Sequence, residues 1–219
     1  MEDVYNDINP VYLLGNHDLH YLSTLWNNFQ CSGWSRSKHD ILHKQYQKMA
    51  HQNMFQFHYA NFEYNFLVTH AGLNLKLIMA LIGFDIKKDD EQITLKLIDK
   101  KLEDWLLNMM RFVNTNKRSP RKEDLLYQLF KVGFISTQSE PRINDLGGIV
   151  WSRPDEMLYA LHQFDFEIMP TEFIQIAGHT RQDTINFNSK LKTYFIDVLG
   201  QQHMVLQINQ DGFQKLILK

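Results

Sequence analysis

Four short polar motifs in the sequence contain residue types that bind metal ions, and each follows an apolar stretch. They are Gly15-Asn16-His17-Asp18, Thr69-His70-Ala71-Gly72, Val150-Trp151-Ser152-Arg153 and Ala177-Gly178-His179-Thr180. An asparagine carbonyl and two imidazoles form a mixed oxygen and nitrogen donor set. Such a set suits a divalent transition ion such as manganese, iron or zinc better than calcium. The motifs therefore predict a site for a divalent metal ion.

The elements that position these motifs are predicted strands. Apolar runs of strand-forming residues at 11–14, 64–69, 148–151 and 173–177 each end at one of the motifs. Open α/β sheets bind ligands at the carboxyl ends of their strands, so four such endings can converge on one site. Glycine beside the ligand residues lets the backbone turn tightly there.

The rest of the chain is predicted to alternate helices with further strands. Helical spacing of apolar residues covers 19–29, 39–49, most of 73–133 with a break at 114–119, and 155–164. Further strands are predicted at 55–59, which turns at residues 60–61 into 64–69, and at 193–198, 203–208 and 213–218. These elements indicate a single α/β domain over residues 1–219, with a helical insertion at 73–133.

Composition excludes several classes of protein. The 219 residues are 44% hydrophobic and 22% charged with a formal net charge of -2, which excludes a disordered chain and a globally basic nucleic-acid binder. The single cysteine, Cys31, cannot form an internal disulfide, and the chain opens without a leader pattern, so we expect a cytoplasmic protein. The longest apolar stretch, residues 73–84, is too short to span a bilayer, and we expect no membrane partner.

In motif order and approximate spacing, from Val11 to Ile208, the sequence resembles the calcineurin-like metallophosphoesterases. The likeness is to their phosphoprotein phosphatase branch, particularly the bacteriophage lambda type of protein phosphatase and the bacterial symmetrical diadenosine tetraphosphatases. The resemblance implies a metallophosphatase-type αββα sandwich. It also implies a two-metal phosphoesterase that acts on a phosphoprotein, a dinucleoside polyphosphate or a related phosphate ester.

The resemblance further implies a role for each motif residue. Asn16, His70 and His179 correspond to the protein ligands of the second metal ion. His17 corresponds to the general acid that protonates the leaving oxygen, and Arg153 to the arginine that binds the phosphoryl oxygens. Residues 197–200 take the place of a closing turn, although the family's Asp-Thr-Gly is here Asp-Val-Leu-Gly.

Two motifs that the family places before Gly-Asn-His-Asp are missing from this sequence. Asp-x-His-Gly and Gly-Asp-x-x-Asp-Arg supply the first metal site and the bridging carboxylate, and residues 1–14 contain neither. Asp3 and Asp7 lack the flanking residues of both motifs. We therefore expect the first strands of the fold to be absent. We also expect an upstream segment or a partner chain to complete the site. Without those strands, residues 11–14 are expected to form an unpaired apolar edge.

Plainer roles remain open for several residues. His17 can cap the following helix, His70 can be a core histidine, and Arg153 can pair with a neighbouring carboxylate. Asp18 is expected to stabilise its loop through local hydrogen bonds. Solvated or packing roles are expected for the other histidines, which are His20, His39, His43, His51, His58, His162 and His203.

Two function classes follow from these observations. The first is a metal-dependent phosphoesterase with a phosphorylated substrate, whose activity as this chain alone is in doubt. The second is a non-catalytic metallophosphoesterase-like domain that binds phosphate or a partner. The basic cluster of Lys117, Arg118, Arg121 and Lys122 is interpreted as a solvated loop or a guide for anionic substrates, and no nucleic-acid partner is expected.

Overall fold

The computed structural model describes residues 11–18, 21, 35–51, 55–82, 92–114, 148–198 and 201–218. The described helices are α1 (Arg36–His51), α2 (Leu75–Ile82), α3 (Leu95–Asn114) and α4 (Pro154–Gln163). The described strands are β1 (Tyr12–Leu13), β2 (Phe55–Gln56), β3 (His58–Asn61), β4 (Phe66–Thr69), β5 (Ile174–Ala177), β6 (Asn186–Asn188), β7 (Thr193–Phe195), β8 (Met204–Asn209) and β9 (Gly212–Ile217).

A five-stranded mixed sheet in the order β3-β4-β5-β7-β6 forms the centre of the fold. Strands β4, β5 and β7 are parallel, whereas β3 and β6 run antiparallel at the two edges. The α/β class predicted from the sequence is therefore confirmed. Because β4 and β5 are parallel neighbours, the residues that follow them, including His70 and His179, come out at the same edge of the sheet.

Helices α2, α3 and α4 contribute to the hydrophobic core together with the sheet. The core includes Leu67 of β4, Ile78 of α2 and Leu161 of α4, all of which are almost completely buried. Strand β3 is also joined to α3 by a contact between His58 Nε2 and Asp99 Oδ1 at 2.9 Å. His58 thus has the packing role expected for it.

Buried polar side chains fix the loop that follows β4. The Gln175 side chain accepts from the Leu73 backbone N–H (2.8 Å) and donates to the Leu73 carbonyl (3.2 Å). Asn74 accepts from the Leu77 N–H (2.9 Å) at the start of α2 and donates to the Ser152 hydroxyl (3.1 Å). The loop after His70 is therefore attached both to β5 and to the segment that carries Arg153.

Strand β1 is paired, which corrects the prediction of an unpaired edge. It lies parallel to β2, with Tyr12 opposite Phe55, and the Leu14 N–H continues the pairing to the Gln56 carbonyl at 2.8 Å. Pairing does not bury the strand, because Val11 and Tyr12 are 44% and 47% exposed. Residues 11–14 were therefore correctly predicted as a strand and wrongly predicted to lack a partner.

Two other predictions at element level are wrong. Residues 148–151 form a turn and not a strand, because the N–H groups of Trp151 and Ser152 both bond to the Gly148 carbonyl at 2.9 Å. The predicted turn at residues 60–61 belongs to β3, and the chain reverses at 62–65. Several predictions lie outside the described residues. They are the helix at 19–29 (apart from Tyr21), the helix at 119–133, the basic cluster at 117–122, and Asp3 and Asp7.

Most remaining elements lie within a few residues of their predictions. The predicted helix at 155–164 is α4, which begins at Pro154, a residue suited to the first helical position. Helix α3 covers part of the helical region predicted at 73–133, and the predicted break at 114–119 lies outside the described residues apart from Asn114. No helix in the described part of the chain is both long and apolar enough to cross a membrane.

Candidate functional site

The Gly15-Asn16-His17-Asp18 turn follows β1 and is closed by its own hydrogen bonds. The Asp18 N–H donates to the Gly15 carbonyl (3.1 Å), and the Gly15 N–H donates to Asp18 Oδ2 (2.8 Å). This confirms the predicted role of Asp18 in stabilising the loop. The turn leaves Asn16 only 5% exposed and His17 on the surface.

His70 and Asn16 lie in direct contact although 54 residues separate them. His70 Nε2 is 2.9 Å from Asn16 Oδ1, and with the proton on Nε2 the imidazole donates to the amide oxygen. The ring packs against Gly15, where a Cβ would lie 2.6 Å from His70 Cε1. The glycine predicted to permit a tight turn is therefore also required because the His70 ring fills the space of its side chain.

His179 joins these residues in an unusual backbone conformation. Its φ is 64°, and the Thr180 N–H bonds to the Gly178 carbonyl at 2.7 Å, which closes a γ-turn centred on His179. The Gly178 N–H donates to the His70 carbonyl at 2.9 Å, and the His70 and His179 ring centroids are 5.2 Å apart. Strained conformations of this kind occur preferentially at functional sites.

Trp151 and Arg153 reach the same place from the turn before α4. The Trp151 ring meets the His179 ring edge-to-face with centroids 5.6 Å apart. The Arg153 backbone N–H donates to Glu156 Oε2 at 2.8 Å. The positive charge of Arg153 is among the influences that lower the pKa of His179, after burial and His70.

The two inner histidines are held in their neutral forms. Burial lowers the pKa of His179 to about 4, and the charges of His70, Arg153 and His17 add to this, with Asp197 opposing. Burial also lowers the pKa of His70, although the Asp18 carboxylate opposes the shift. Neutral imidazoles retain the nitrogen lone pair that a metal ion requires.

The arrangement fits the donor set of a divalent ion. Two ligand atoms bound at about 2.1 Å and at right angles on one octahedral ion, the geometry typical of magnesium and manganese, lie about 3.0 Å apart, and the Asn16 Oδ1 to His70 Nε2 distance is 2.9 Å. His70 would bind through Nε2 with its proton moved to Nδ1. The Thr180 hydroxyl, next to His179 in the sequence, is buried and has no hydrogen-bond partner in the described structure. A buried hydroxyl without a partner is uncommon and is compatible with an unoccupied polar position beside it.

The described residues do not supply a carboxylate-rich metal centre. They contain no group of three or more His, Cys, Asp or Glu side chains placed to hold an ion. The assembled donors are therefore one amide and two imidazoles, all neutral.

Two neighbours of the site were not assigned roles from the sequence. In the sequence, Trp151 is only one member of a motif, and Asp197 is only the first residue of the segment that takes the place of the family's closing turn. An aromatic or acidic residue next to a predicted strand end is a weak signal by itself. Only the folded arrangement brings both to His179.

Comparison with known proteins does not assign the chain to a family. No protein family and no curated protein matches the sequence. Among solved structures, a cold-active protein-tyrosine phosphatase of a psychrophilic Shewanella species matches with 17% identity and a TM-score of 0.46, over 94% of this chain and 55% of that one. A second structure titled cold-active protein tyrosine phosphatase, at 1.1 Å, has 16% identity and a TM-score of 0.47, over 94% and 54%.

These structural neighbours are phosphatases by name, and the present chain spans about half of their length. The similarity in fold is slight.

The depressed pKa of His179 predicts that acid weakens the metal-free protein. Between the unfolded pKa of 6.5 and the folded value of about 4, the unfolded chain takes up a proton that the folded chain resists. Stability is therefore full above pH 6.5 and falls as the pH drops toward 4. Urea denaturation in EDTA at pH 7.5, 6.0 and 5.0 measures the loss.

Urea denaturation of variants at the same pH values separates the contribution of His179 from that of other groups that take up protons in acid. His179→Ala is expected to reduce the loss of stability between pH 7.5 and 5.0, whereas replacing the exposed His203 by alanine leaves the wild-type profile. Equal pH dependence in wild type and His179→Ala would contradict the assignment of a neutral, buried His179.

Proposed function

We propose that this chain carries the second-metal half of a phosphoesterase site of the calcineurin-like metallophosphoesterase type, on an αββα scaffold. The observation that carries the proposal is the convergence of Asn16, His70 and His179 from three separated segments of the sequence. The donor chemistry favours manganese, iron or zinc. The substrate is a phosphate ester of the phosphoprotein or dinucleoside polyphosphate type.

Each residue has a distinct task in the proposed reaction. Asn16, His70 and His179 hold a divalent ion, which when bound supplies Lewis-acid polarisation of the phosphoryl group. Arg153 binds the phosphoryl oxygens and neutralises charge that develops on them. His17, exposed at the turn, would give a proton to the leaving oxygen as its bond to phosphorus breaks. The water that adds to phosphorus would release one proton to solvent.

The neutral donor set also supports a second candidate, a domain that binds phosphate without hydrolysing it. Three neutral ligands without a carboxylate bridge bind a divalent ion weakly, and no carboxylate cluster lies among the described residues. In this case Arg153 and the ion hold a phosphorylated partner. A partner chain or an upstream segment that adds the missing aspartates would convert the binding site into an enzyme.

Hydrolysis of p-nitrophenyl phosphate with added manganese distinguishes the two candidates. In the enzyme, Arg153→Ala lowers kcat/KM by about 100-fold or more, because one charged group for the transition state is lost. His17→Ala lowers kcat/KM by a comparable factor, of about 100 or more. EDTA abolishes turnover, and manganese restores it.

His203→Ala serves as the matched control, because His203 is exposed and lies at the start of the β8–β9 hairpin. It is expected to leave turnover unchanged. Phosphate binding without turnover under any metal would favour the binding domain. Turnover that resists EDTA, or that survives both variants, would contradict the metal-dependent enzyme.

A further inference from the structure

Helix α1 contacts the proposed site through one tyrosine hydroxyl. Tyr46 donates to Asp18 Oδ1 at 2.7 Å, while Asp18 Oδ2 accepts from the Gly15 N–H at 2.8 Å. Both carboxylate oxygens are therefore engaged, one by the helix and one by the turn. Tyr46 is separated from the turn by 28 residues of sequence, and no motif marks it.

A second attachment joins α1 to the same segment. The Tyr21 N–H donates to the Asp18 carbonyl at 3.0 Å, and His43 Nδ1 lies 2.7 Å from the Tyr21 carbonyl oxygen. The Tyr21 and Tyr46 rings also pack together with centroids 5.6 Å apart. Helix α1 thus supports the turn from one side, and the His70 ring contacts it at Gly15.

We propose that Tyr46 is a positioning residue for the site, which acts through Asp18 to hold Asn16 against His70 and to orient His17. The proposal concerns the metal site of the proposed function and rests on it. A hydrogen bond to a carboxylate is shorter and stronger than one between neutral groups, so it can fix the orientation of Asp18. Asp18 in turn fixes Gly15, whose backbone precedes Asn16.

The geometry leaves little freedom for the turn to shift without affecting the ligands. Gly15 already lies against the His70 ring, so a small movement of Gly15 changes the distance from Asn16 Oδ1 to His70 Nε2. Burial and the neighbouring Asp18 carboxylate raise the pKa of Tyr46, so its hydroxyl keeps the donated proton at physiological pH.

Tyr46→Phe tests the proposal because it removes one hydroxyl and keeps the ring that packs on Tyr21. In the metal-free protein at pH 7.5, we expect the imidazole NMR signals of His70 to shift while those of His203 do not. Manganese affinity, measured by calorimetry on the full chain, is expected to fall about tenfold, with little change in Tm. Tyr194→Phe is the control, because Tyr194 is half-buried and stacks on Phe213, away from the turn.

A double-mutant comparison tests the route through Asp18. Tyr46→Phe added to Asp18→Ala is expected to cause no further loss of manganese affinity, because Asp18→Ala already removes the carboxylate through which Tyr46 acts. Unshifted His70 signals in Tyr46→Phe, or fully additive losses, would overturn the proposal. If the wild type itself binds no manganese, the proposed function fails, and the His70 signals alone decide whether Tyr46 positions the turn.

Discussion

Replacing His70 by alanine is expected to lower manganese affinity by more than about 100-fold, because a direct ligand of the ion is lost. Removal of a residue that only supports a ligand already lowers metal affinity by about 10- to 100-fold. His70 is the central donor of the site. It touches Asn16 through Nε2, its carbonyl accepts from Gly178, and its ring lies beside His179. Calorimetric titration of EDTA-treated protein with manganese measures the loss.

The alternative role of His70 as a core histidine predicts a different outcome. A core histidine would cost stability when truncated and leave manganese affinity unaffected. We expect His70→Ala to fold, because the residue is only partly buried at the end of β4. His58→Ala is the comparison for a histidine in a structural contact, since His58 pairs with Asp99, and it should reduce Tm while manganese binding persists. Unchanged manganese affinity in His70→Ala would contradict its assignment as a ligand.

Gly15→Ala is expected to disrupt the same site without removing any donor atom. The new Cβ would lie 2.6 Å from His70 Cε1 and 2.8 Å from Nδ1, so the imidazole must swing away or the turn must move. Either movement separates His70 Nε2 from Asn16 Oδ1. Overpacking of this kind costs about 1–3 kcal/mol of folding stability, and we expect manganese affinity to fall nearly as far as in His70→Ala.

Gly178→Ala is the matched control for this substitution. Gly178 also lies beside His70, but a Cβ there would be 3.4 Å from the His70 carbonyl oxygen, an ordinary contact. Manganese affinity and Tm in Gly178→Ala should stay near the wild-type values. If Gly15→Ala binds manganese as well as Gly178→Ala does, the Gly15 turn does not set the position of His70.

The sequence alone predicts strands β4 and β5 and the candidate site residues at their carboxyl ends. Apolar runs before His70 and His179 are strands β4 and β5, and their parallel pairing brings both histidines to one edge of the sheet. This succeeds because buried parallel strands leave a strong local pattern. The glycines beside the motifs also marked the places where the backbone makes close contacts or tight turns.

The arrangement around these strands depends on contacts that no local pattern records. Residues 148–151 are as apolar as a strand, yet two N–H groups share the Gly148 carbonyl and close a turn instead. The pairing of β1 with β2 joins segments about 40 residues apart. Tyr46 lies on helix α1, and the spacing of apolar residues that predicts this helix does not predict the hydrogen bond from Tyr46 to Asp18. Long-range pairing and single polar contacts are decided by the tertiary fold.

Anomalous X-ray diffraction from crystals of the full chain soaked in manganese tests the claim that Asn16, His70 and His179 together bind one divalent ion. We expect a single strong anomalous peak at the manganese edge within coordination distance of Asn16 Oδ1 and both imidazoles, and no such peak in His70→Ala crystals. A saturating soak that leaves these three residues without a peak, or that places the ion elsewhere, would contradict the claim.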